Sequence, residues 1–190
     1  MEDQSSLSPG AMHFGAKEGA FHEDYCPGSE VDFEQLYRSE YQHVLFFVRS
    51  MIRDEHAAED CTQETFVRAY KAWDRWRPDA PAAHWLLTIA YRVALSHIRS
   101  KRIRAMVGLA DDVEERVVAS TTTPLYTTSV MEAIQNLPHA QRVCVVLRYA
   151  YGYTNREIGR ILRTSESTVA SRLSLARNRL QKELKWEEEK

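Results

Sequence analysis

The 190-residue chain carries 25 Lys and Arg against 27 Asp and Glu, and its net charge of −2 hides a strong segregation along the sequence. Apolar residues make up 44%, with few Gly (7) and Pro (6), so most of the chain should fold, as one domain or two small ones. No apolar run approaches the roughly 20 residues of a membrane span, and the acidic N-terminus lacks the order of a signal peptide. Cys26, Cys61 and Cys144 are too few and too scattered for a disulfide framework, so the expectation is a cytoplasmic chain with reduced thiols and no membrane insertion.

Residues 1–31 mix Ser, Gly, Pro, His and acids without period and read as a flexible acidic extension. His13, His22 and Cys26 match no common zinc spacing, and neither a metal nor a cofactor is expected. From Asp32 the pattern turns helical, with Phe33, Leu36, Tyr37, Val44, Leu45, Val48, Met51 and Ile52 forming one broad apolar stripe. Asp54 or a neighbour opens a second helix whose inner side holds Ala58, Cys61, Thr65, Phe66, Ala69, Tyr70, Trp73 and Trp76. Pro78 and Pro81 then enforce a loop, because each lacks an amide donor and restricts its neighbour. A third helix is predicted from about Ala83 to Arg104, with Trp85, Leu86, Ile89, Ala90, Val93, Ala94, His97 and Ile98 inward. Its last half is basic, carrying Arg92, Arg99, Lys101, Arg102 and Arg104 with no acid.

Residues 105–128 lose the period and read as a linker, its length favouring two bodies. Ser129-x-x-Glu132 is a capping box opening the second body. Leu137-Pro138 separates two helices, the second with Val143, Val146, Leu147 and Ala150 inward and Gly152 as its cap. Thr154-x-x-Glu157 caps a short helix with Ile158, Ile161 and Leu162 on one face. After the break Arg163-Thr164-Ser165, a last helix buries Val169, Leu173, Ala176 and Leu180. Its other side presents Ser167, Ser171, Ser174, Arg177 and Asn178, with Arg172 on the flank. This is a helix-turn-helix with a basic, hydroxyl-rich second helix, suited to a DNA groove. The expected fold is all-α, in two small helical domains (residues 32–104 and 129–184) joined by a flexible linker, with an acidic tail at 185–190.

Asp60, Gln63 and Glu64 share one exposed face of the second helix, opposite its apolar stripe, and could pair with a basic helix of a partner. Three segments then give the chain a family likeness: Ala58-Glu59-Asp60-x-x-Gln63-Glu64-x-Phe66, Trp85-Leu86-x-x-Ile89-Ala90, and Ser167-Thr168-Val169-x-Ser171-Arg172-Leu173. In this order, with a linker before the helix-turn-helix, residues 32–184 resemble the extracytoplasmic-function (ECF) sigma factors of bacterial RNA polymerase.

The resemblance implies a dissociable subunit that binds core RNA polymerase and directs promoter recognition, DNA opening and transcription initiation. It assigns Asp60, Gln63 and Glu64 to core binding, with Phe66 supporting the helix. It places the loop and third helix, with Arg75, Trp76, Arg77, Arg92, His97, Arg99, Lys101 and Arg102, against the −10 element. There, aromatic faces stack on unpaired bases and cations follow the backbone. It leaves Ser165, Thr168, Ser171, Arg172, Ser174 and Arg177 for the −35 element, with Arg172 and Arg177 read as phosphate anchors. It also implies regulation by a membrane-bound or soluble anti-sigma factor. Arg92 stands where the family pattern often has Asn, and Ala170 and Leu175 stand where many members have basic residues.

No Gly-rich phosphate loop, zinc pattern or nucleophile–base arrangement is present, so catalysis is not expected. The rival reading is a dimeric helix-turn-helix regulator with an N-terminal sensor or dimerisation domain, which would hold a palindromic duplex without polymerase.

Overall fold

A computed structural model describes residues 25–78, 80–106 and 125–188. Residues 1–24 of the expected N-terminal extension, most of the linker and the end of the tail lie outside the described residues, and the rest of that extension already holds the cap and first turn of a helix. Among the described residues the chain is all helix: α1 Glu30–Met51, α2 Glu55–Lys71, α3 Ala82–Met106, α4 Leu125–Asn136, α5 His139–Tyr149, α6 Asn155–Leu162 and α7 Glu166–Glu188.

Helix starts follow side-chain chemistry. Ser29 accepts from the Asp32 amide to open α1, and Asp54 accepts from the Ala57 amide at 3.0 Å to open α2. Phe33, Leu36, Val44, Val48 and Met51 are buried along α1, which packs on α2 and α3. Phe47 was absent from the predicted stripe, yet it is fully buried, because a second set of helices covers the far side of α1. Tyr37 and Tyr70 belong to the predicted stripes but stay 42% and 52% exposed, each laying one ring edge on a buried Phe. Thr62 and Thr65 are buried on α2, where their hydroxyls donate back to the Ala58 and Cys61 carbonyls.

Between α2 and α3 a single 3-10 turn, Trp73–Arg75, opens the Pro-containing loop. Trp73 and Trp76 stack at 5.0 Å and 8°, and Trp85 tilts against both. The Trp73 indole donates to the Ser29 carbonyl at 2.8 Å, which ties the loop to the start of α1. Burial of Trp73 and Trp76, with Trp85 half-buried beside them, fixes a segment that its prolines alone leave irregular.

In the second unit, α4 starts at Leu125, one turn before the predicted Ser129 cap. A capping box is only a local preference, and a serine inside a helix is mildly unfavourable, so continuous helix prevails there. Helix α5 ends near Ala150, and Gly152 follows at φ +74°, the left-handed conformation that glycine tolerates. The turn is closed by the Tyr153 amide on the Leu147 carbonyl and by Arg148 on the Tyr153 carbonyl. The Thr154–Glu157 capping box forms as read, and of the expected stripe Val169, Leu173 and Ala176 are buried while Leu180 is only partly buried against the core.

The two units are packed together, α5 on α1 and α6 on α3, with one continuous core through both. This is why Val143, Cys144, Val145, Val146 and Leu147 are all buried: α7 covers one side of α5 and α1 the other. Tyr151 fills the seam among His43, Phe46 and Phe47, and its hydroxyl donates to the His43 carbonyl. Tyr153 sets its ring edge-on to His84 at 4.5 Å. Arg53 donates across the seam to the Gln135 carbonyl at 3.1 Å. The part-buried Tyr151 bond contributes about 1 kcal/mol and the exposed Arg53 bond less, so the seam rests chiefly on its buried apolar and aromatic side chains.

Candidate functional site

Three surfaces hold the residues singled out from the sequence. On α2, Asp60, Gln63 and Glu64 are exposed on one face, while Phe66 is 4% exposed and points away from them. Phe66 sits between Tyr37 (4.8 Å) and Tyr41 (5.9 Å), so it holds α2 on α1 rather than meeting a partner. Glu64 accepts from Arg68 at 2.6 Å, whereas Asp60 forms no ion pair among the described residues. Burial, then Asp60 and Glu64, push the neighbouring Cys61 thiol above its usual range, and it stays an unreactive core group. Val67, 46% exposed, extends this face by one turn. Sequence reading passed over it because an exposed valine carries no chemical signature.

The second surface is the Trp loop with α3. Arg75 and Arg77 are exposed, but Arg75 already donates to the Lys71 carbonyl at 3.1 Å and lies 3.6 Å from Asp74. Trp76 is only 7% exposed because it stacks on Trp73, so most of its ring area is committed to the loop. Arg92, Arg99, Lys101 and Arg102 are exposed and His97 is half-buried. Arg92 and Arg99, seven positions apart, share one side of α3, whereas Lys101 lies roughly 180° from Arg92. One strand therefore cannot lie along both Arg92 and Lys101 without wrapping the helix.

The third surface is the solvent side of α7, with Ser171, Ser174 and Arg177 exposed in a row. Ser165 works first as a cap: its hydroxyl accepts from the Thr168 amide at 3.1 Å and pairs with the Thr168 hydroxyl at 2.7 Å. Arg172 lies apart from this row. It is half-buried against α5, where its charge draws the Cys144 thiol down against the upward push of burial. The same charge, after burial and Arg142, holds His139 below its usual pKa.

Gly159 sets the angle between α6 and α7, and nothing in the hydrophobic pattern announced it. A Cβ there would stand 2.8 Å from the Thr164 carbonyl oxygen, so the turn rests directly on the α6 backbone. Arg163 takes the left-handed conformation at φ 51° to make that turn. In the turn after α5, Tyr153 is buried and Tyr151 packs in the seam, whereas Tyr149 stays 61% exposed, so the tyrosine spacing alone does not tell them apart. Burial raises the phenols of Tyr151 and Tyr153 above the ordinary range, so both remain neutral in the seam, where the Tyr151 hydroxyl donates to the His43 carbonyl.

Among the described residues no His, Cys, Asp and Glu cluster is arranged to hold a metal, and no helix is long and apolar enough to cross a membrane.

Comparison with known proteins adds independent findings. Sigma-70 region 2 matches residues 36–103, and Sigma-70 region 4 matches residues 127–180. The ECF RNA polymerase sigma factor SigM of Mycobacterium tuberculosis is 30% identical over 157 residues, covering 82% of this chain and 79% of its own length. The sigma factor RpoE from Bartonella quintana, solved with the anti-sigma factor NepR, superposes with a TM-score of 0.70 at 28% identity. That superposition covers 81% of this chain and 97% of RpoE. CnrH, solved with the cytosolic domain of CnrY, gives a TM-score of 0.62 at 25% identity, covering 83% and 90% of the two chains.

Proposed function

This chain belongs to the ECF sigma factors of bacterial RNA polymerase, and we propose from that premise which of its residues do each part of the work. It binds core RNA polymerase and directs promoter recognition, DNA opening and transcription initiation. The observation that carries this is the presence of both sigma-70 regions, in order, in one chain. A dimeric regulator with a sensor domain is not favoured, since its N-terminal half would have no reason to match region 2. Sigma factors are non-enzymatic DNA-binding regulators. We place this one in the bacterial cytoplasm with its polymerase, without catalysis of its own.

Asp60, Gln63 and Glu64 make the polymerase contact, supported by Phe66 from beneath. The face is exposed on a helix whose other side is fully committed to the core, so a partner can be met without refolding. The −10 element lies along the Arg77 end of the loop and the Arg92–Arg99 side of α3, with Arg75, His97 and Arg102 at the margins, while Trp76 holds the loop by its stack on Trp73 and Lys101 lies on the opposite side of the helix. The −35 element is read by Ser171, Ser174 and Arg177, with Ser165 and Thr168 at the mouth of α7. Arg172 acts from within, fixing α7 on α5. An anti-sigma factor is proposed as the regulator, in keeping with the complexes formed by RpoE and CnrH.

Transcription from a −35-dependent promoter with purified core polymerase separates the two arginines. Arg177→Ala should weaken promoter use about tenfold and flatten its salt dependence by about one counterion, with unchanged melting. Arg172→Ala should lower the melting temperature as well, because it strips a half-buried contact from the α5–α7 seam. Full activity of Arg177→Ala would remove the −35 role from this face.

A further inference from the structure

Leu175 stands 50% exposed on α7, one turn after Ser171 and next to Ser174. Among the described residues it is the only large apolar side chain of that helix left exposed, since Val169, Leu173 and Ala176 turn inward. The helical repeat sets Leu175 about 40° from Ser171 and about 60° from Asn178 around the axis, on the flank of the exposed row. No acid lies between Glu166 and Glu183, and Arg177, Arg179 and Lys182 are exposed along this stretch. Such a face draws a phosphate backbone towards it. A single exposed leucine is ordinary on a protein surface, so its setting decides what it can do. The major groove of B-DNA presents hydrogen-bonding edges from every base and one apolar group, the thymine C5-methyl. Against guanine, adenine or cytosine, a leucine strips water from a polar edge and returns no hydrogen bond. Against thymine, it covers a methyl group that water also solvates poorly.

We propose that Leu175 is a specificity residue for the −35 element, selecting thymine at one position through its C5-methyl group. The inference rests on the reading of α7 as the −35 helix and adds to it the identity of one base. Ser171 and Ser174 carry hydroxyls that rotate to donate or accept, so each tolerates several base edges. Leu175 has no such freedom, and it discriminates by excluding polar edges as much as by attracting the methyl. Burial of one methyl group is worth a factor of about four in affinity.

Holoenzyme assembled from core polymerase and the full chain tests this on the promoter fragment it uses most strongly. Each thymine of the −35 element, on either strand, is replaced in turn by deoxyuridine, which lacks only the C5-methyl. For the natural chain, one of these replacements is expected to weaken promoter use about fourfold, and the others to have little effect. Leu175→Ala is expected to weaken the thymine-bearing promoter by a similar factor and to be indifferent to uracil at that position. Leu175→Met keeps an apolar side chain of similar volume and should restore the response to the methyl. Neither variant should move the melting temperature, since the side chain is half exposed. The response of the natural chain needs no variant, so a poorly folded Leu175→Ala leaves the test intact. A natural chain indifferent to every thymine methyl, or a −35 element without thymine, would overturn the proposal. So would a Leu175→Ala chain that keeps the full methyl response, whatever activity it loses, because Leu175 would then touch something other than that base. Arg177→Ala on the same fragments scores the −35 reading separately. A loss there without any methyl response sinks only the thymine inference, whereas indifference to both removes α7 from the −35 element.

Discussion

Replacing Asp60 and Glu64 together by Lys is expected to reduce association with core RNA polymerase at least about 100-fold while the chain stays folded. Both acids are exposed on α2, and the buried group they act on, the Cys61 thiol, is kept neutral first by its burial. Glu64 loses its pairing with Arg68, but an exposed pair of this kind is worth about 0–1 kcal/mol, and the new like-charge pair costs only a few tenths more. Against a basic partner surface the same change turns two attractions into repulsions, and truncating or reversing such contacts costs about 2–5 kcal/mol. The two scales differ enough that folding and binding separate cleanly. Co-purification with core polymerase, read beside the thermal melt, checks it; normal holoenzyme assembly by the double variant would remove this face from the interface.

Gly159→Ala is the second large effect, and its sign runs against propensity. Alanine inside a helix is ordinarily better than glycine by about 1 kcal/mol. Here the added Cβ meets the Thr164 carbonyl oxygen at 2.8 Å and approaches the Glu166 amide nitrogen at 3.6 Å, both backbone atoms of the turn. Backbone cannot swing aside as a flexible side chain would, so the α6–α7 angle must open at a cost of about 1–3 kcal/mol. The expected result is a less stable second unit, with −35-dependent transcription lost more than core binding, since α2 is remote from the turn. A variant that melts higher than the natural chain would show that the turn does not rest on this glycine.

What the sequence disclosed follows from how local each determinant is. The Thr154–Glu157 capping box, the Asp54 cap and the Val169–Leu173–Ala176 stripe are read within a few residues, and each stands as read. The exposure of Asp60, Gln63 and Glu64 opposite a buried Phe66 follows from the helical repeat alone. The packing of the two units on each other did not follow, because its anchors are far apart in the chain. Tyr151 meets the carbonyl of His43, and Arg53 meets that of Gln135. Nothing within either segment names its partner. The same limit hid the inward turn of Arg172, whose position on the flank of α7 is ambiguous until α5 is placed beside it. Trp76 shows a third kind of limit: an aromatic residue beside arginines fits base stacking and core stacking equally, and its 8° stack on Trp73 decides for the latter in this packed arrangement. Val145 and Cys144 were missed because one-sided burial was assumed for a helix that is covered on two sides.

The most direct test is transcription in vitro, with purified core RNA polymerase, this chain, and a library of genomic promoter fragments. Addition of the chain is predicted to convert unselective initiation into starts at a small set of promoters, through a one-to-one complex with the polymerase. A chain that has no affinity for core polymerase, and instead holds a palindromic duplex tightly as a dimer, would contradict the account.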